Sequence, residues 1–148
     1  MKKIFLLLGV ITAFAACNKD KFKTEPQVEI KSISPSQVNK GQMLKVAATI
    51  RDKEGDLQDS LLVVRKWFSN GTLLNKDTLR YTLNGMAFPT KTQIEVEVLF
   101  AYGELVDGTI YLPLEQVDKE FAAGFIMRDK AGHRSEYVES ETVTLKKL

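Results

Sequence analysis

A period of two in the apolar residues narrows the fold of this chain more than any other feature. Ile94, Val96, Val98 and Phe100 alternate with Glu95 and Glu97, and Leu44, Val46, Ala48 and Ile50 alternate with Lys45, Ala47, Thr49 and Arg51. Residues two apart share one face of a strand, so each run reads as a strand with one side buried. Similar runs begin at Val28, Ile30 and Ile33, cover Leu61 to Phe68 with the single tryptophan Trp67, and return at Asp77 to Leu83 and Gly108 to Leu112. Phe121, Ala123, Phe125 and Met127 make another, and Val138 to Leu145 the last. Turn formers separate them: Ser34-Pro35-Ser36, Asn39-Lys40-Gly41, Asn70-Gly71 and Asn84-Gly85. Leu114 to Lys119 alone hints at a helical turn. Short strands at spacings of roughly 10–15 residues predict an all-β, immunoglobulin-like β-sandwich of about 7–8 strands, with Trp67 between the sheets. A closed barrel is the other architecture that this pattern allows.

The N-terminal residues follow a different rule. Met1-Lys2-Lys3 is a short positive start, Ile4 to Ala16 is apolar or small, and Cys17 is the only cysteine. This order is that of a secretory signal, and the apolar run falls short of the roughly 20 residues that a spanning helix needs. Ala15-Ala16-Cys17 resembles the lipobox of bacterial lipoproteins, although Phe14 stands where that motif usually has leucine. The resemblance implies removal of residues 1–16 and acylation of Cys17. Residues 17–26 then form the acylated cysteine and a polar tether, and residues 27–148 form the sandwich domain. More than one acyl chain on Cys17 makes membrane attachment stable. The expected location is a bacterial outer membrane, facing either the periplasm or the cell surface.

Charge excludes some partners. Loss of Lys2 and Lys3 leaves 19 Lys and Arg against 19 Asp and Glu. A neutral domain has no electrostatic footprint for nucleic acid and no polybasic patch for anionic lipid. With Cys17 acylated there is no disulfide, so stability rests on the core.

Two short motifs carry a further likeness. Arg51-Asp52-Lys53-Glu54-Gly55-Asp56-Leu57 follows the second predicted strand, and Asp129-Lys130-Ala131-Gly132-His133-Arg134-Ser135 lies near the C-terminus. Together with Ile33, Ser34, Pro35 and Gly41, they resemble in type and order the small lipoproteins of Bacteroidetes-type bacteria that carry one Ig-like domain. Lys53 and Glu54 depart from the Gly and Asp usual in that acidic turn. The resemblance implies a fold and an address, and no activity.

The acidic turns hold the strongest candidate site. In an Ig-like sandwich the loop after the second strand and the loop between the last two strands share one end. That order brings Asp52, Glu54 and Asp56 together with Asp129, and Asp59 stands nearby. Calcium takes six to eight oxygen ligands from carboxylates, carbonyls and water, which makes it the cation this set suits. The alternative is a structural loop end in which Asp and Gly serve as turn formers and Arg51, Lys53, Arg128, Lys130 and Arg134 neutralise the acids.

Other residues point away from catalysis. His133 is the single histidine, with Ser135 and Glu136 close by, yet no nucleophile elbow accompanies them, and His133 reads as a turn residue. One histidine and an acylated cysteine do not make a zinc set. Glu95 and Glu97 have the spacing of a glycosidase pair but lie on the solvent side of a half-buried strand. Trp67, Phe68, Tyr81, Phe88, Tyr102 and Tyr111 include candidates for a sugar-stacking platform, although aromatics also dominate sandwich interiors. The sequence therefore predicts a lipid-anchored envelope binding or scaffold protein that docks to another envelope protein, and no enzyme. The alternative is a glycan- or calcium-binding surface module.

Overall fold

The computed structural model describes residues 24–57, 59–83 and 92–148. The signal segment, Cys17, the Asn84-Gly85 turn and Phe88 lie outside the described residues. The strands are β1 (Gln27–Ser34), β2 (Gln37–Val38), β3 (Met43–Arg51), β4 (Ser60–Ser69), β5 (Thr72–Thr82), β6 (Gln93–Tyr102), β7 (Ile110–Leu112), β8 (Lys119–Arg128), β9 (Val138–Glu139) and β10 (Val143–Leu145). They form two sheets, in the orders β1-β3-β6-β7 and β2-β10-β8-β4-β5, with β9 also beside β8. This is the Ig-like sandwich that the period of two predicts. The parallel pairing of β2 with β10 fastens the start of the domain to the sheet that contains its end.

Alternation decides what each strand buries. On β6, Ile94 and Phe100 are buried, while Glu95 and Glu97 face solvent and Glu97 meets Lys45 at 3.0 Å. The solvated reading of that carboxylate pair is the one realised. β8 lies centrally and is closed to solvent from Phe121 to Phe125. Phe121 joins the two sheets. Its ring meets Trp67 of the neighbouring strand β4 edge-on at 5.5 Å and 69°, and meets Phe100 of the opposite sheet at 5.5 Å and 71°. Such edge-to-face pairs add to the burial of the rings themselves.

Two local expectations are corrected. Residues 114–119 do not form a helical turn, because buried Tyr102 claims the segment. Its hydroxyl accepts the Glu115 N–H at 3.0 Å and donates to the Lys146 carbonyl at 2.9 Å. Gly103, at φ +76°, leaves room for the Leu114 side chain, which a Cβ would strike. The last predicted strand is broken into β9 and β10, with buried Ser140 in the break and buried Ser135 ahead of β9. Ser135 Oγ accepts the Met127 N–H at 2.9 Å, and Ser140 Oγ accepts the Ala123 N–H at 3.1 Å. Each hydroxyl donates in turn to the carbonyl of the following glutamate, so the edge of β8 stays satisfied where its partner strand departs.

Removing the central ring tests this account of the core. Phe121→Ala is expected to cost about 3–5 kcal/mol and to lower the thermal midpoint by roughly 10–20 °C. Thermal unfolding of the full chain, followed by circular dichroism, measures it.

Candidate functional site

The two acidic turns meet at one end of the sandwich. The Lys130 N–H donates to the Asp56 carbonyl at 3.1 Å, a direct main-chain link between the β3–β4 loop and the turn that follows β8. β3 ends at Arg51, and the next residue, Asp52, donates its N–H to the Thr92 carbonyl at 2.9 Å. Gly55 then adopts φ +70°, a conformation that side-chain-bearing residues rarely take. The chain thereby doubles back, and the Asp56 N–H donates to Asp52 Oδ2 at 3.1 Å. Leu57 is 2% exposed and anchors the loop in the core.

Asp129 is organised by its own turn. Its Oδ1 accepts the His133 N–H at 2.8 Å, and its Oδ2 lies 2.9 Å from His133 Nδ1. The Asp129 N–H donates to the His133 carbonyl at 3.1 Å. Each of Asp52, Asp56 and Asp129 presents a carboxylate oxygen within 4.8 Å of the other two. Asp52 is 3% exposed and Asp129 1%, and Asp56 is half-buried. Two full charges at that spacing repel by about 3 kcal/mol at an effective dielectric of about 20, so three ionised carboxylates need positive charge among them. Burial, the Asp52 carboxylate and the charge of Asp129 together hold the Asp56 pKa above the usual value. The hydrogen bond to Asp129, with the added charge of the surrounding acids, raises that of His133.

Three of the four acids expected at the site are therefore brought together. Glu54 is not: it is exposed and stands outside the group. Asp59 is turned away, accepting from Ser60 Oγ at 2.8 Å and lying 3.7 Å from Arg128 and 3.4 Å from Arg80. Arg51 is likewise engaged elsewhere, with Glu29 and Gln93 at 3.0 Å each. His133 is the turn residue that the sequence suggested. Ser135 is 7% exposed and its hydroxyl is committed to the backbone. Of the aromatic candidates, Trp67 and Tyr102 are core, while Tyr81 and Tyr111 are 39% and 42% exposed.

A second feature carried no sequence signal beyond scattered apolar residues. Between β5 and β6 lies an open cleft of about 260 Å³, lined by Leu61, Val63, Tyr81, Leu83, Val98 and Ile110. Arg65 bounds the neighbouring wall. It grips Asp77 of β5 with Nε at 2.7 Å and Nη2 at 2.5 Å, and reaches across to the Tyr111 carbonyl of the other sheet at 2.7 Å.

No family model matches this chain, and no curated protein does. Among solved structures, a sporulation control protein of Bacillus subtilis aligns at a TM-score of 0.46 and 8% identity, covering 84% of this chain and 50% of that one. A superoxide reductase (neelaredoxin) of Ignicoccus hospitalis aligns at 0.40 and 11%, covering 86% and 87%. The CARDB domain of a Pyrococcus furiosus protein aligns at 0.31 and 14%, covering 84% and 88%. The chain spans half the length of the sporulation protein.

The site's electrostatics predict an inverted response to mutation. In the metal-free protein the Asp56 charge, gathered beside Asp52 and Asp129, opposes folding, so Asp56→Asn is expected to raise the unfolding midpoint slightly. Asp52→Ala leaves the part-buried Asp56 N–H without its acceptor and lowers it. Unfolding of both variants in excess chelator, beside the parent, gives the two signs.

Proposed function

We propose that this chain is a lipid-anchored envelope protein that works by binding, docking an extended segment of another envelope protein along the edge of β5. The leader ending at Cys17 supports the anchor and the address. The observation that carries the docking reading is the β5 edge itself. Ten of its eleven residues pair with β4 on one side, Leu74 being bulged, and among the described residues no strand covers the other. An unpaired edge of that length offers a row of main-chain donors and acceptors to an added strand.

The β1 edge of the other sheet is guarded by charge, and this contrast supports the choice. Both strands are bulged, β1 between Ile30 and Ser32 and β5 at Leu74, but on β1 the flank is also charged: Glu29 is held by Lys31 at 2.5 Å and Arg51 at 3.0 Å. Charge pairs of this kind blunt an edge against pairing. β5 instead exposes Leu73 and Leu74 at 48% and 53% near its start and, near its end, Tyr81 at 39%, which lines the apolar cleft. Apolar positions next to a free edge give an incoming strand pockets for its side chains. The exposed Lys76 of the same strand favours a partner segment that carries acidic residues.

Two measurements test the reading. A photo-crosslinking residue at Thr78 on the β5 edge is expected to capture one stoichiometric membrane partner in cells, and the same group at Glu95 on the opposite sheet is not. Absence of a partner from Thr78, or equal capture from both, overturns the docking site. Cys17→Ala is expected to move the protein from the detergent phase to the aqueous phase on partitioning. Retention in the detergent phase removes the anchor.

A further inference from the structure

The geometry points to a calcium site built by Asp52, Asp56 and Asp129, in which one ion staples the β3–β4 loop to the turn that follows β8. Three acids in a cluster do not by themselves single out a ligand. The second observation is the state of Asp52. This side chain is 97% shielded from solvent, given its 3% exposure. It is presented to the same point as the other two carboxylates. Its Oδ2 accepts the Asp56 N–H, but its buried Oδ1 has no hydrogen-bond partner, and the buried Oδ1 of Asp56 has none either. Buried acceptors are normally paired, and a stranded charged one is costly. Two such oxygens, on carboxylates that converge with that of Asp129, are what a cation would satisfy.

The donor set narrows the ion. All three ligands are carboxylates, the hard donors that suit calcium, magnesium or manganese, while imidazole and thiolate are needed to favour the softer metals. His133 Nδ1 faces Asp129, an outer partner of the kind that orients ligating carboxylates. Calcium–oxygen distances of about 2.3–2.6 Å put ligands of one ion no more than about 5.2 Å apart, and these oxygens lie within 4.8 Å of one another. Magnesium demands about 2.0–2.1 Å and near-ideal octahedral geometry, a tighter demand on two loops whose separation is fixed by the Lys130–Asp56 main-chain bond. Water supplies the remaining calcium ligands. Glu54 takes no part, being exposed and outside the group.

The proposal is tested on the purified full-length protein. Equilibrium dialysis against radioactive calcium is expected to give one ion per chain. Calcium at about 100 times its Kd is expected to raise the midpoint by roughly 5–15 °C over excess chelator. Asp52→Asn, Asp56→Asn and Asp129→Asn each abolish the calcium response, and Glu54→Gln keeps it. The unfolding midpoint of Asp56→Asn in chelator is measured beside the parent's; a value at or above it shows that silence to calcium is not misfolding. No bound calcium in the parent overturns the site, as does an undiminished response in the Asp52 or Asp129 variant. An equal shift with magnesium at the same concentration overturns calcium as the ion.

Discussion

The contact on which this sandwich depends is that of Phe121 with Trp67 on one side and Phe100 on the other. The two sheets share no disulfide, since the chain has a single cysteine, so side-chain packing must fix both their separation and their angle. Phe121 does so from the central strand of the larger sheet, where every neighbour transmits a shift to both sheets. Tyr102 plays a similar part at the margin. Its buried ring belongs to β6, while its hydroxyl holds the chain on either side, at Glu115 and Lys146. Packing thus sets the frame, and two hydrogen bonds pin a segment that its own sequence would leave free.

That frame explains why the acidic loops meet. β3 and β8 lie in opposite sheets, and their connections leave from the same end because the Ig-like order puts them there. The main-chain bond from Lys130 to Asp56 then fixes the approach without any side chain. Asp52 and Asp129 are thereby buried by the backbone arrangement, and the cost of gathering their charge falls on Asp56, the least buried of the three. A loop end held only by ion pairs would place each acid against a basic side chain. Arg51 and Arg128, the nearest arginines in sequence, are drawn instead to Glu29 and Asp59.

Much of this was legible in the residues. Alternation at Ile94 to Phe100 fixes which face of β6 is buried, and the order of the turns suffices to bring Asp52 and Asp56 to Asp129. The exclusion of Glu54 was not legible, because an alternating Asp-Lys-Glu-Gly-Asp run suggests three acids on one side of an extended loop. Gly55 at φ +70° breaks that extension, converging residues four apart and turning the one between them outward. The absent helical turn at 114–119 has a similar cause. The Leu114 side chain needs the space over Gly103, a contact between segments that no local pattern encodes. The broken final strand depends on Ser135 and Ser140 taking over ladder positions of β8, and serine in a sequence reads simply as a turn former.

The edge of β5 was hidden for a different reason. Alternation reports which face of a strand is buried and carries no information on whether its flank is paired. Leu73, Leu74 and Tyr81 therefore look like ordinary strand residues until the sheet order places β5 outermost. Once it is outermost, the Arg65 contacts acquire a meaning. By gripping Asp77 and reaching to the Tyr111 carbonyl, Arg65 holds an edge strand against the opposite sheet, and its charge is stacked at 5.3 Å over the ring of Trp67. An edge strand with no such tie is free to fray, which would spoil its main-chain groups as a template. Fastened at Asp77, midway along its length, β5 keeps those groups in register while its outer flank stays free. The same packed core at Trp67 that joins the sheets therefore also stiffens the strand best placed to receive a partner.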